Sequence, residues 1–326
     1  MKDKILITGG AGYIGSVITS YLLDNGFEVA VVDDLSTGNK GSVDERAIFH
    51  QGSILDESFL IKSLTGIDAV IHCAAKSLVE ESFASAHLYS EVNTDGTNAL
   101  LNAMIQLGVN KVIFSSTAAV YGEANYEPLL ENSQINPINP YGQSKYAAEQ
   151  LISGFANGGN SAVIFRYFNV AGSYKSDKGE LLVENHQNET HLIPKIIKNS
   201  LRNGVDSKVE IYGNNFSTKD GTCIRDYLHV QDLAHAHLLA IEKFDTDVSK
   251  VFNLGSGVGY SVLEVLNEIE KVMGVKLNRV TSPARKGDPA VLLAAIDKAK
   301  DQLGWKPEAS LNEIIASSWQ GMKQLG

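Results

Sequence analysis

The chain has 326 residues, 28 Lys and Arg against 38 Asp and Glu, and a formal net charge of −10. Apolar residues make up 44% and charged residues 20%, a globular composition that excludes a disordered or fibrous chain, on a length that suits about two domains of ~100–200 residues. The acidic balance excludes a broad nucleic-acid surface, which needs clustered Lys and Arg, but leaves room for a local basic pocket.

In chain order, near-continuous apolar runs rich in Val and Ile at 4–8, 28–32, 68–73, 111–115 and 162–168 predict parallel strands buried on both faces. Helical periodicity lies between them, at Ile14, Val17, Ile18, Tyr21 and Leu22, then from Val92 to Leu107 and from Tyr146 to Phe155. Such alternation predicts an α/β chain with a Rossmann-type, doubly wound parallel sheet. From 173 the texture changes. The stretch 173–190 is polar and aperiodic and reads as a loop or domain crossing. A helix from about Ile193, a strand at 208–212, a loop at 213–226, a helix at 230–243, a strand at 251–254 and helices near 261–273 and 310–324 follow. The expected division is a nucleotide-binding domain over 1–172, with 225–255 returning to it, and a smaller C-terminal α/β substrate domain over 173–326. The two cysteines, Cys73 and Cys223, make neither a disulfide framework nor a metal cluster. With no secretory h-region and no apolar run of bilayer length, the expected location is the cytoplasm, with no membrane partner.

Positions 8–16 read TGGAGYIGS, directly after the first strand and opening the first helix. Gly9, Gly12 and Gly15 supply the tight turn, the close approach of backbone N–H groups to a pyrophosphate, and the packing of helix on strand. The helix N-terminus adds unpaired donors and a positive dipole. Asp33, at the end of the second run, can accept bonds from ribose hydroxyls and would repel a 2′-phosphate, which favours NAD over NADP.

Tyr141 and Lys145 stand four apart in YGQSK and share one helix face. A tyrosinate base at neutral pH needs its pKa lowered by ~3 units from ~10, and a neighbouring ammonium and a positive nicotinamide can supply this. Thr117, in SSTAAVYG at the end of the fifth run, sits where the sheet edge presents hydroxyls to a cofactor crevice.

Together TGGAGYIGS, Asp33, SSTAAVYG and YGQSK resemble the extended short-chain dehydrogenase/reductase family. RYFNVAG (166–172), HLIP (191–194), GTCIRDYLHVQDLAHAH (221–237), NLGSGVGYSV (253–262), RKGDPA (285–290) and LGW (303–305) narrow the resemblance to its UDP-glucose 4-epimerase branch, across essentially the whole chain. The resemblance implies reversible C4 epimerisation of UDP-galactose and UDP-glucose through a 4-keto sugar on tightly held NAD, in a homodimer joined through helices near 86–107 and 143–157. It implies Tyr141 as base and acid, Lys145 as ribose contact and Thr117 as the hydroxyl at the 4-oxygen. The cofactor contacts it implies are Gly9, Gly12, Tyr13, Ile14, Gly15, Asp33, Ser53, Ile54, Ala74, Asn93, Tyr141, Lys145 and Tyr167. For the UDP-sugar it implies Thr117, Asn169, His191, Leu192, Arg225, Arg285, Asp288 and Leu292, and no metal.

Arginines suit the diphosphate because their planar fork bonds phosphate oxygens bidentately. An Arg225–Asp226 ion pair and a helix-start role for His191 are the structural alternatives. Departures from the family pattern are Ser53 and Ala295, each in place of a usual Asp, and His191 in place of an asparagine seen in some relatives. Leu292, intermediate in size near the sugar's C2 substituent, leaves UDP-N-acetyl sugars as further substrates. A 4,6-dehydratase or a decarboxylase needs acids where this chain has Ala118 and Ala119. A UDP-glucuronate 4-epimerase and a non-catalytic NAD-binding protein remain as alternatives.

Overall fold

A computed structural model describes residues 2–123, 128–186, 189–203, 208–244, 251–285 and 288–325. Gln187 and Asn188 of the predicted 173–190 loop, and Lys286 and Gly287 of RKGDPA, lie outside the described residues. The strands in chain order are β1 (Lys4–Thr8), β2 (Glu28–Asp33), β3 (Ile48–Gln51), β4 (Ala69–His72), β5 (Lys111–Thr117), β6 (Ser161–Tyr167), β7 (Asn169–Ala171) and β8 (Ser173–Lys175). They continue with β9 (Leu181–Val183), β10 (Lys208–Tyr212), β11 (Ile224–His229), β12 (Val251–Leu254), β13 (Gly259–Ser261), β14 (Asn278–Ser282) and β15 (Val291–Leu292).

Seven strands form one parallel sheet in the order β12-β6-β5-β4-β1-β2-β3. Successive strand residues point to opposite faces, and the apolar runs serve both. Ile5, Ile7, Val29, Val31 and Phe165 pack with Val17, Ile18 and Leu22 of the helix Tyr13–Asp24 and with Leu233 of the helix Val230–Glu242. The alternate residues Leu6, Ala30, Val32, Phe114 and Ile164 pack with Leu100 and Met104 of the helix Gly96–Leu107 and with Ala148 and Ile152 of the helix Pro140–Asn157. The strand order reverses at β1, between β2 and β4, and the chain turns after β1 and β4 meet there in a crevice of the kind that takes ligands in such sheets.

A second core, centred on Ile196, Ile197, Ile211, Leu266, Ile269 and Ile315, joins the helices Leu192–Asn203, Val262–Met273 and Leu311–Leu325 to the β10–β14 pair. Beside it β11 pairs with β13, β15 and β7. The aperiodic stretch from 173 proves to hold a hairpin of β8 and β9. Its sequence looks like a loop because few side chains face inward; Tyr174 does, and it meets Tyr21 edge-on at 5.7 Å and donates to Asp24 at 2.5 Å. The predicted loop 213–226 already contains the start of β11, and β3, an exposed edge strand, carries no apolar alternation that would announce it. The helix predicted from Tyr146 begins at Pro140, because Asn139 caps it by accepting from the Gly142 amide at 2.8 Å. Leu100, Leu101 and Met104, whose apolar character fits either a subunit interface or, for each singly, packing on the sheet, are buried in the chain's own core.

That helix is held to the sheet by an ion pair among apolar neighbours. Arg166 on β6 meets Glu149 at 2.7 Å, with side chains only 6% and 2% exposed. Ser116 on β5 donates to the same carboxylate, and Arg166 also donates to the Tyr121 hydroxyl at 3.0 Å and the Glu131 carbonyl at 2.9 Å. Removing one partner leaves a buried, uncompensated charge. Arg166→Met is therefore expected to lower stability by about 3–5 kcal/mol, read as a fall in the chemical denaturation midpoint. A loss below about 1 kcal/mol, the worth of a surface pair, would contradict this.

Candidate active site

The glycine-rich turn is built from close contacts. Gly9 has φ +72°, and a Cβ there would stand 2.7 Å from the Ala74 amide nitrogen, on the loop after β4. A Cβ on Gly15 would stand 2.2 Å from the Gly9 carbonyl oxygen. Gly12 is less crowded: a Cβ there would meet only the Gly9 carbonyl oxygen, at a tight 3.3 Å. The helix it begins has no side-chain cap and no acid in its first turn. Bare N–H donors and the dipole therefore face the crevice beside Tyr13 and Ile14. Asp33 is 8% exposed and accepts from the amides of Ala11 at 3.0 Å and Leu35 at 2.8 Å. Burial pushes its carboxyl up, and those two bonds oppose the shift.

Several residues expected to touch the cofactor have side chains engaged by the protein itself. The Tyr13 hydroxyl donates to the Gly172 carbonyl at 2.8 Å. Asn93 holds the backbone of Lys76 through both ends of its amide and donates to Ser144 at 2.9 Å. The Tyr167 hydroxyl lies between Ser115 at 2.9 Å and His237 at 2.8 Å. Ile54 is buried in the core, where a Cβ on Gly96 would touch it at 2.6 Å, and Ser53 accepts from the Leu55 amide at 3.2 Å. These groups set the walls of the crevice by fixing one another.

Tyr141 lies in the first turn of the helix Pro140–Asn157, edge-on to Tyr89 at 6.3 Å. Burial pushes its phenol above the ordinary value, and a hydrogen bond with the Thr117 side chain works against that. The sequence expectation is a tyrosine lowered by Lys145 and a positive nicotinamide together. In the protein alone desolvation wins, so the phenol holds its proton. Lys145 is 3% exposed, and burial pulls its ammonium down to about 8, opposed by Cys73 and Glu149. Its Nζ lies 4.5 Å from the centre of the Phe114 ring. Nearby His72, between Thr8 at 2.7 Å and Thr97 at 2.9 Å, is lowered by burial to about 3 and stays neutral.

A cavity of about 740 Å³ brings together Asn169, His191, Leu192, Arg225, Arg285 and Asp288. Asn139, the cap of the helix carrying Tyr141, also lines it. Arg225 donates to the carbonyls of Ile224 at 2.8 Å and Pro289 at 2.9 Å, and to Asp288 at 3.3 Å. It makes no pair with Asp226, whose fully buried carboxylate accepts instead from Ser256, Gly257 and Ala294. The Arg285 guanidinium lies 4.0 Å from the centre of the Tyr212 ring, and its Nε pairs with Glu80 at 3.5 Å, short of hydrogen-bond geometry. His191 sits 2.7 Å from Glu184 and 3.2 Å from Glu189; the Glu184 charge chiefly lifts its pKa, to about 10.

Thr117 and Leu292 stand outside that lining. Thr117 ends β5, and Leu292 is in register with Arg225 and packs on Ala118, Val120 and Phe168. Ala295 is buried and only its amide is used, donating to the Leu129 carbonyl at 2.9 Å; nothing in the structure explains the departure there. Sequence reading missed Glu149 and Arg166, although the first stands four residues after Lys145 and the second opens RYFNVAG. It also missed Tyr212 and Lys195 in the cavity wall. Lys195 lies one turn beyond His191 in HLIPK, which was the available signal.

Known proteins match this chain along nearly its whole length. The UDP-glucose 4-epimerase of Lacticaseibacillus casei is 44% identical over 320 residues, covering 97% of this chain and 95% of the relative. That of Streptomyces lividans is 42% identical over 324 residues, covering 98% and 96%. The crystal structure of UDP-glucose 4-epimerase from Bifidobacterium longum in complex with NAD+ and UDP superposes with a TM-score of 0.92 at 34% identity, over 98% of each chain. Residues 5–255 match the NAD dependent epimerase/dehydratase family, and the chain belongs to that family.

Proposed function

We propose that this chain is an NAD-dependent isomerase that interconverts UDP-galactose and UDP-glucose at C4. One observation carries the reading: six residues suited to a nucleotide sugar share one cavity with the cap of the helix that bears Tyr141 and Lys145. The relatives named above act on, or are solved with, ligands of this class.

The residues present fit a dinucleotide. Gly12 leaves the helix N-terminus open, side-chain caps and first-turn acids are absent there, and Asp33 closes β2 beside it. When bound, NAD supplies a reversible hydride acceptor. The chain's own residues do the rest. Arg225 and Arg285 hold the diphosphate, with Asn169, Leu192, His191 and Asp288 around the nucleotide and its sugar. Tyr141 takes and returns the proton of the 4-hydroxyl at its Oη, and Thr117, already bonded to that phenol, holds the 4-oxygen. Lys145, a buried cation at neutral pH, favours the tyrosinate and offers a donor to a ribose hydroxyl. A 4-keto sugar turned about its diphosphate link meets the same groups with its other face.

At the positions where a dehydratase needs acids, Ala118 lies in an apolar cluster with Val120, Tyr121 and Phe168, so no side chain there moves protons. We assign residues 1–172 and 225–255 to cofactor binding and most of the remainder to the sugar, since β12 closes the large sheet. Leucine at 292 admits UDP-N-acetyl sugars as well. The active form in this reading is a cytoplasmic homodimer, for which the exposed Ile105 and Leu107 offer an apolar face on the helix Gly96–Leu107. Among the described residues no helix is long and apolar enough to cross a membrane.

Purified protein given UDP-galactose alone is expected to form UDP-glucose, and UDP-N-acetylglucosamine is expected to turn over too. No interconversion with or without added NAD overturns the proposal; inactivity on the N-acetyl sugar alone removes its second substrate. Tyr141→Phe should keep bound NAD and lose on the order of 10²–10⁴-fold in rate; an unimpaired variant refutes the assigned base.

Lys145 gives a pH prediction with a definite sign. Its folded pKa of about 8 lies below the ordinary ~10.4, so burying the ammonium costs up to about 3 kcal/mol below pH 8 and nothing above 10.4. In cofactor-free protein, Lys145→Met should therefore unfold at a higher temperature than the parent at pH 7, and the gap should close toward pH 10.5. A gap that does not change with pH would refute this cost, while the variant's activity should fall at least ~100-fold.

A further inference from the structure

The segment from Glu184 to His191 repeats one pattern. Glu184-Asn185-His186 is followed five residues on by Glu189-Thr190-His191. Glu184 directly follows β9, and His191 directly precedes the helix Leu192–Asn203. The two ends of the segment are thus anchored on different elements, and the four side chains converge between them.

Each imidazole Nδ1 faces both carboxylates. His191 Nδ1 is 2.7 Å from Glu184 Oε1 and 3.2 Å from Glu189 Oε1. His186 Nδ1 is 3.3 Å from Glu184 Oε1 and 3.5 Å from Glu189 Oε2. One donor atom from each of the four residues can be chosen so that all lie within 4.8 Å of one another. A tetrahedral zinc site with bonds of ~2.0–2.1 Å has donor-to-donor edges of about 3.4 Å, so the observed spacings bracket it.

A second observation is independent of this spacing. Glu184 is only 4% exposed, yet its Oε2 has no hydrogen-bond partner among the described residues. Glu189 Oε2 and His186 Nδ1 are buried too, and face each other at an ion-pair distance of 3.5 Å without hydrogen-bond geometry. Buried polar atoms are ordinarily satisfied. Here the ion pairs occupy Glu184 Oε1 and leave Glu184 Oε2, on a buried side chain, with no partner among the described residues.

We propose that Glu184, His186, Glu189 and His191 form a binding site for one divalent transition-metal ion of the zinc class. Two carboxylates balance the ion's charge, and a two-nitrogen, two-oxygen set without thiolate suits zinc, cobalt or nickel rather than calcium or magnesium. Four protein donors leave no open position, so the ion is structural. The His191 side chain is 46% exposed and gives solvent access for its entry. The same His191 lines the sugar cavity, and Glu184 and Glu189 are close enough to Tyr13 to raise its phenol pKa further after burial has done so. The ion would therefore brace the chain where the glycine-rich turn meets the cavity.

The test uses the full-length protein, with its bound cofactor, dialysed against a chelator and then titrated with zinc and separately with cobalt. One equivalent per chain should bind with micromolar or tighter affinity, and cobalt should give the intense visible bands of four-coordinate geometry. Glu189→Gln, which keeps the side chain's shape, and His186→Ala should each weaken binding at least ~10-fold, and the double variant should abolish it. Absence of a stoichiometric site in the parent, a pale six-coordinate cobalt spectrum, or binding undiminished in a folded Glu189→Gln variant would each overturn the proposal.

Discussion

The buried pair of Arg166 and Glu149 is the constraint on which the site depends. Glu149 stands one helical turn after Lys145, which stands one turn after Tyr141, so fixing the carboxylate fixes the face that carries both. Arg166 lies on β6, and Ser116, a donor to the same carboxylate, directly precedes Thr117 on β5. One desolvated ion pair thus sets the helix against two strands and places the Thr117 side chain near enough to Tyr141 to favour its phenolate. Its net contribution to stability is small beside what an apolar replacement would give. What it supplies is position, and the further bonds from Arg166 to Tyr121 and Glu131 extend that position to the strand ends around the crevice.

The groups so placed are all held out of water, and each is shifted away from the charged form it would prefer there. Burial raises Tyr141 and Asp33, lowers Lys145 to about 8 and keeps His72 neutral. A site of this kind is costly while empty. The cost falls when a ligand brings complementary groups, because low dielectric strengthens any interaction that forms inside it. In the protein alone burial keeps the Tyr141 phenol above its ordinary value, against the opposing Thr117 side chain; a positive charge arriving with a ligand would act the other way. The spacing of Tyr141 and Lys145 was readable in the sequence, but the size of the opposing desolvation was not.

Legibility followed locality. The strands of the large sheet that are apolar on both faces were visible as runs, and the glycine-rich turn was visible because steric demand selects glycine at Gly9 and Gly15. Elements held by few inward side chains were not. The β8–β9 hairpin rests on Tyr174, β3 is an exposed edge, and β11 begins inside a stretch that reads as loop. The residues of the cavity were found through resemblance, and the structure gathers six of them into one space. Leu292, assigned to the sugar on the same ground, is in register with Arg225 and packs on the apolar cluster that holds Ala118. Tyr212 carries no local pattern to mark it, and only the pairing of β10 with β14 brings it to the wall, whereas the one signal for Lys195 is its place a turn beyond His191.

A reaction in which one carbon must present both faces to the same tyrosine needs either the protein or the sugar to turn. The contacts between the two halves favour a still protein. The Tyr13 hydroxyl reaches Gly172, Tyr174 reaches Asp24, and the amides of Gly172 and Ser173 donate to Ser318 and Ser317 of the C-terminal helix. These bonds cross from the glycine-rich turn to the hairpin and on to the second core, and Gly321 lies so close to Val183 that a Cβ there would stand 2.9 Å away. Packing this tight transmits strain rather than absorbing it. The cavity, by contrast, is lined by Arg225 and Arg285, which in the proposed reading hold the diphosphate. A ligand anchored by its diphosphate in a rigid cavity has one soft coordinate left, rotation about the link to the sugar. In this molecule the freedom the chemistry requires therefore belongs to the substrate, and the fold's interlocked halves are what leave it there.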